Sequence, residues 1–143
     1  MTRLDLLGVH HLALRVSDLE RAVAFYRDVL GLAELARHKF PDGSDRSSWL
    51  ALPGGAFLAL ERASPSAAPR ATDSVGYCVL ALRIWRDQRS QIADELRRRG
   101  ATIVHQTRWT IYLEDPEGNR IGLSHHPQDE ADVVAAIAPP FRS

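Results

Sequence analysis

His11 is the side chain best placed for chemistry in this chain. It lies on an alternating run, Val9 to Val16, that reads as a strand. An unperturbed imidazole titrates near neutrality, so it can hold a ligand, pass a proton or bind a metal ion. Two further groups could act with it, the carboxylate of Glu61 as a base and the phenol of Tyr77 as a donor. Trp49, Phe57, Trp109 and Tyr112 are aromatics on strand-like runs. Counting by twos places Trp49 with Ala51, and Phe57 with Ala59 and Glu61, on shared faces. Aromatics beside small alanines form a slot for a flat ligand, and Thr110 and Tyr112 would add hydroxyls.

The remaining candidates carry weaker chemistry. His10 alternates to the opposite strand face and is expected beneath a helix or at an interface. His125 and His126 are adjacent, so on a strand they point apart and cannot share one metal. His38 and His105 stand on other strands without a spacing partner. Cys78 has no base beside it and reads as a small buried hydrophobe. No phosphate loop, dinucleotide fingerprint, Gly-x-Ser-x-Gly or Cys-x-x-Cys occurs.

The elements that must position these residues occur twice. Val9 to Val16 leads into Ser17-Asp18-Leu19-Glu20, a capping-box pattern, then Leu19, Ala22, Val23, Tyr26, Val29 and Leu30 at helical spacing, stopped by Gly31. Strands are expected at Leu32 to His38, Trp49 to Leu52 and Phe57 to Glu61, with a mobile polar loop over 39–48 as a rim. Residues 64–74, rich in Ser, Ala and Pro, form a linker. Gly76 to Ile84 (strand), Asp87 to Arg99 (helix), Thr102 to Arg108, Thr110 to Leu113 and Arg120 to Ser124 (strands) repeat the order. Aligning the two halves sets Tyr77 against His11. The tail carries a short apolar helix candidate at 129–137.

Composition narrows the classes. With 143 residues, the chain suits one domain that buries a core without staples. Eighteen basic residues balance 18 acidic ones, which disfavours nucleic acid and anionic membrane as partners. Arg97 to Arg99 beside Asp94 and Glu95 reads as a solvated helix face. One cysteine excludes an internal disulfide, and neither a secretory leader nor a membrane-spanning run is visible, so a reducing cytoplasmic setting is the expectation.

HHLALRVSDLERAVAFYRDVLGL (10–32) and YLEDPEGNRIGL (112–123) together resemble the vicinal-oxygen-chelate superfamily of glyoxalases, bleomycin-resistance proteins and extradiol dioxygenases. The resemblance spans roughly residues 8–126. It implies an α+β fold of paired βαβββ modules whose curved mixed sheets enclose a cavity. Residues 1–143 would form one domain, with module one at 8–63, the linker at 64–74, module two at 75–126 and the tail at 127–143. Members are commonly homodimers, some exchanging modules between chains. Many use a divalent metal (Zn, Ni, Mn or Fe), and His11 fits the first ligand position. The other positions fall on Tyr77, near Ala59, and on Gly122, so no metal or other cofactor is expected. The resemblance then implies a binding protein of the bleomycin-resistance type, with His11, Trp49, Phe57, Tyr77, Trp109 and Tyr112 lining the site. The competing reading is a metal-dependent, glyoxalase-like lyase or isomerase, or a dioxygenase-like enzyme, using His11, Glu61 and Tyr77.

Overall fold

The computed structural model describes residues 4–71 and 73–126; the expected tail helix at 129–137 lies outside them. In the first half, β1 (His11–Val16), β2 (Glu34–Lys39), β3 (Asp45–Ala51) and β4 (Phe57–Arg62) make a mixed sheet in the order β1-β4-β3-β2, with β1 and β4 parallel. The period-two pattern sorts its faces. Leu12, Leu14 and Val16 turn inward beside Leu58, Leu60 and Leu50, while His11, Ala13 and Arg15 are exposed. The expected loop 39–48 is instead the end of one strand, a five-residue turn and the start of the next. Phe40 and Ser44 close that turn (2.8 Å), and Asp42 accepts from the backbone N–H and hydroxyl of Ser44.

Helix α1 (Leu19–Ala24) covers the inner face. Its cap is Asp18, whose carboxylate accepts from the Arg21 N–H at 3.1 Å. The Ser17 capping box does not form, because Glu117 in the second half takes the Ser17 N–H and hydroxyl (2.7 and 2.8 Å). The helix widens into a π-helical turn over Phe25–Val29, which turns both Phe25 and Tyr26 into the core. Gly31, at φ 78°, ends it as the sequence predicts.

The second half repeats the plan: β5 (Leu80–Arg83), α2 (Arg89–Arg98), β6 (Ile103–Gln106), β7 (Thr110–Glu114) and β8 (Arg120–Ser124), in the sheet order β5-β8-β7-β6. A 3-10 turn at Arg86–Gln88 leads into α2 in place of the first helical turn expected at Asp87. The halves share one apolar core, in which Val23, Tyr26 and Leu58 are continuous with Leu96, Ile111, Leu113 and Ile121. The fold is the expected α+β pair of βαβββ modules.

Two turns fix the internal register. Leu52 N–H bonds Ala56 O, and Asp115 N–H bonds Asn119 O, each at 2.9 Å across an x-Pro-x-Gly-x loop. Leu52 therefore matches Asp115, and Ala59 matches Gly122. Ala13 lies opposite Ala59, and Ala81 opposite Gly122. His11 thus matches Val79, two residues beyond the expected Tyr77, and the runs LALRV (12–16) and LALRI (80–84) coincide. The sequence alignment slipped because 77–82 also alternates; only the strand pairing distinguishes the two registers. No helix among the described residues is long and apolar enough to cross a membrane.

Candidate functional site

The outer face of module one carries an aromatic ribbon running obliquely across all four strands. His11 on β1 stacks on Phe57 of β4 (centroids 4.8 Å apart, planes 8° apart). Phe57 stacks in turn on Trp49 of β3 (4.5 Å, 26°), and Trp49 leans on His38 of β2 (4.5 Å). Trp49 and Phe57 therefore share a face, as counting by twos predicts. His11 and Trp49 come from strands on either side of β4, so both faces of Phe57 are covered and it offers its edge. Ring edges carry partial positive charge and receive the face of another π-system. The ribbon is thus a continuous surface of ring edges rather than a set of free stacking faces.

His10 departs from expectation. It precedes β1, is exposed, and sets its ring edge-on to His11 (5.1 Å) and Phe57 (5.6 Å). Its Nδ1 lies 2.8 Å from Nδ1 of His11, so one ring donates a hydrogen bond to the other, in the direction the tautomers set. Alternation fails here because the strand has not yet begun.

The three residues expected to act together are not gathered. Glu61 lies on the ribbon's face, opposite Arg15. It stands four residues along β4 from Phe57, His11's partner, a separation of about 13 Å. Tyr77 precedes β5 and is 88% exposed, off both sheets. Cys78 beside it is exposed rather than buried, because β5 starts only at Leu80. In module two, Tyr112 sits on the matching outer face, stacked on His105 (5.9 Å), with the Arg120 guanidinium 5.6 Å from its ring. Trp109, just before β7, belongs to a separate group. Arg108 lies over its ring (4.3 Å), and His125 and His126 meet it edge-on. The sequence reading set His38 aside for want of a spacing partner and missed Ser47, which fell in the supposed loop, although counting by twos from Trp49 reaches Ser47, which pairs with His38.

The donor set does not fit a metal centre. His11 has His10 beside it, but Val79 and Gly122 occupy the corresponding module-two positions and Ala59 the module-one acidic position. No group of three His, Cys, Asp or Glu side chains converges among the described residues. Gly122 is also crowded: a Cβ there would meet Thr110 Cγ2 at 3.2 Å.

The other family-like segments serve the frame. Tyr26 donates to Asp115 Oδ2 at 2.6 Å, and Asp115 also accepts from the Glu117 and Asn119 N–H groups and from Asn119 Nδ2. Burial, followed by the charge of Asp115 and this hydrogen bond, holds the Tyr26 phenol protonated far above the ordinary tyrosine range. The Phe-Tyr pair and the Asp-Pro-x-Gly-Asn turn thus clamp one module to the other.

The sequence model of the Glyoxalase/Bleomycin resistance protein/Dioxygenase superfamily matches residues 8–123. The chain belongs to this superfamily. Solved structures place its architecture among the superfamily's folds. A glyoxalase/dioxygenase from Nostoc punctiforme superposes with a TM-score of 0.72 at 24% identity, covering 87% of this chain and 94% of that one. Lactoylglutathione lyase from Agrobacterium tumefaciens gives 0.65 at 24% identity, over 83% and 93% of the two chains. A variant of the fosfomycin resistance protein FosX from Listeria monocytogenes, complexed with Mn(II) and 1S,2S-dihydroxypropylphosphonic acid, gives 0.68 at 16% identity, over 90% and 99%. At these identities the superpositions speak to fold alone, and this superfamily member's site is read from its own residues.

Proposed function

We propose that this superfamily member is a metal-independent small-molecule-binding protein that sequesters a flat, partly apolar ligand on the His11–Phe57–Trp49–His38 ribbon. The ribbon carries the reading. Four rings in contact across four strands give an apolar platform with imidazole nitrogens at both ends, and no carboxylate joins them to hold a cation. The ligand lies face-down on the edges of Phe57 and Trp49, with the His10–His11 pair offering a hydrogen bond at one end.

A second copy of the chain closes the site. Among the described residues, β1 pairs only with β4 and β5 only with β8, so within that set each leaves one backbone edge unpaired. The segments leading into those edges expose apolar side chains: Leu7 is 100% exposed, and Leu4, Leu6, Val9 and Val75 are also uncovered. Pairing these edges across a homodimer buries them and brings the Tyr112 face of one chain over the ribbon of the other.

Metal analysis of protein purified without chelators, with calorimetric titration of a planar aromatic probe, tests the reading. Probe binding without stoichiometric metal is expected, and Phe57→Ala weakens it roughly thirtyfold. Tightly held metal that His11→Ala releases supports the metal-dependent lyase reading instead. Sedimentation of the wild type as a dimer, with Leu7→Glu sedimenting as a monomer, is the expected result for the closing copy.

A further inference from the structure

We propose that His38, Ser47 and Trp49 form a polar subsite that accepts an oxygen substituent, a carbonyl or phenolic oxygen, at the edge of the bound ring system. This rests on the ribbon being the ligand platform. His38 and Ser47 are direct cross-strand partners on the ribbon's face, and Trp49 is two residues further along β3. Ser47 is 1% exposed. His38 Nε2, Ser47 Oγ and Trp49 Nε1 are all buried and without a hydrogen-bond partner among the described residues. Native interiors rarely leave one such atom unpaired, and here three meet at neighbouring positions.

Two comparisons show that the fold does not impose this. Ser48, the next residue, points to the other face and donates to Glu34 Oε1 at 2.9 Å. In module two, the matched pair Thr110 and Ser124 bond to each other at 2.8 Å, whereas their counterparts Ser47 and Glu61, also cross-strand partners, leave the Ser47 hydroxyl unpaired. The one other orphaned side-chain atom among the described residues, His125 Nδ1, belongs to module two's Trp109 group. An indole N–H only donates, a serine hydroxyl donates or accepts, and His38 Nε2 takes either role with its tautomer. The set therefore favours an accepting oxygen. It adjoins Trp49, so a ring lying on the floor directs an edge substituent into it. The subsite sets which flat molecules are held.

Fluorenone and fluorene, which differ by one carbonyl oxygen, test this by calorimetric titration. The wild type is expected to prefer fluorenone about tenfold, and Ser47→Ala or Trp49→Phe to bring that preference close to one. Ser47→Ala is also expected to raise the melting temperature, since it removes a buried hydroxyl with no partner. A preference that survives both substitutions overturns the subsite. Phe57→Ala separates the two claims: equal loss of both probes supports the ribbon whatever the carbonyl does. Retained binding of both probes, or no binding of either to the wild type, overturns the ribbon and the subsite together.

Discussion

At matched positions of the two modules, Trp49 answers to Tyr112, Phe57 to Arg120, Ala51 to Glu114, Ser47 to Thr110 and His11 to Val79. The inner faces remain alike: Leu12, Leu14, Leu58 and Leu60 correspond to Leu80, Leu82, Ile121 and Leu123. The outer faces have separated, one into contiguous rings with unpaired polar atoms, the other into a bonded Thr110–Ser124 hydroxyl pair and an arginine beside the Tyr112 ring. The inner face answers to packing, which both modules need equally. On the proposed reading, the outer faces are the two walls of a closed ligand site, and such walls need not match. That reading puts function in the divergence between halves, and the shared frame can be perturbed separately from it.

The turn after β7 should show the largest effect. Its counterpart after β3 starts with Leu52, but here Asp115 accepts four hydrogen bonds, one from the buried Tyr26. Asp115→Ala strands the Tyr26 hydroxyl and opens the loop, and it is expected to lower unfolding free energy by about 3–5 kcal/mol in urea titrations. Tyr26→Phe, which leaves the turn's own bonds intact, costs about 2 kcal/mol. Equal losses in the two variants would show that the inter-module bond alone holds the clamp.

Next comes the contrast between walls. Phe57→Ala removes the centre of the ribbon and is expected to weaken planar-probe binding by about 2 kcal/mol, roughly thirtyfold, while Tyr112→Ala changes it about threefold. Calorimetric titration of both variants ranks the walls, and a reversed order would move the platform to module two.

These contrasts explain what the amino-acid order reveals. The paired modules are legible because both inner faces obey a period of two or 3.6 and because Gly31 and Gly100 stop matching helices. Trp49 and Phe57 are legible as neighbours for the same reason. The site is less legible wherever a residue's role depends on where a strand starts. His10 joins the ribbon and Tyr77 leaves the sheet because β1 and β5 begin later than alternation suggests. Ser17 loses its capping role to Glu117, 100 positions away, and local propensity carries no sign of such a partner. Ser47 was hidden by the supposed loop, 39–48, whose end from Asp45 onward is a strand in this fold, and without Ser47 opposite it His38 showed no partner.

Acid should separate the modules more gently. Module one's β2–β3 hairpin is tied by Arg37, which reaches Glu34 (2.6 Å), Asp45 (2.9 Å) and Glu20, while the ion pairs described in module two lie within α2 and its C-terminal cap, Arg99. The Arg37 guanidinium holds Glu34 below its ordinary 4.5, and Lys39, then Arg37, hold Asp45 below 3.8. Carboxylates lowered by folding stabilise the fold above their unfolded values, and that contribution is lost as pH falls through the folded ones. Urea midpoints should therefore be level near neutrality and decline below about pH 4.5. Arg37→Gln should flatten that decline, and an unchanged slope would remove the network from the account.

The smallest effect tests why module two lacks an acidic side chain where metal-dependent relatives carry one. Ala59 holds its Cβ at 3% exposure, but at the matched Gly122 a Cβ meets Thr110 Cγ2 at 3.2 Å, Tyr112 Cε1 at 3.4 Å and Ala81 Cβ at 3.6 Å. Thr110 cannot turn its methyl aside cheaply. Its hydroxyl bonds Ser124 at 2.8 Å, and its N–H bonds the Thr107 hydroxyl at 3.0 Å. Replacing a strand glycine by alanine would otherwise stabilise by about 0.5–1 kcal/mol through the unfolded chain. Crowding by Thr110 is expected to cancel that gain, leaving Gly122→Ala within about 0.5 kcal/mol of wild type or slightly below it. In a Thr110→Ser background, which removes the methyl and keeps the hydroxyl, the same substitution should stabilise. The double-mutant cycle measures the contact directly. Additive effects would mean that the site tolerates a side chain at 122, and that only the identity of the residue, not the space around it, keeps a carboxylate from that position.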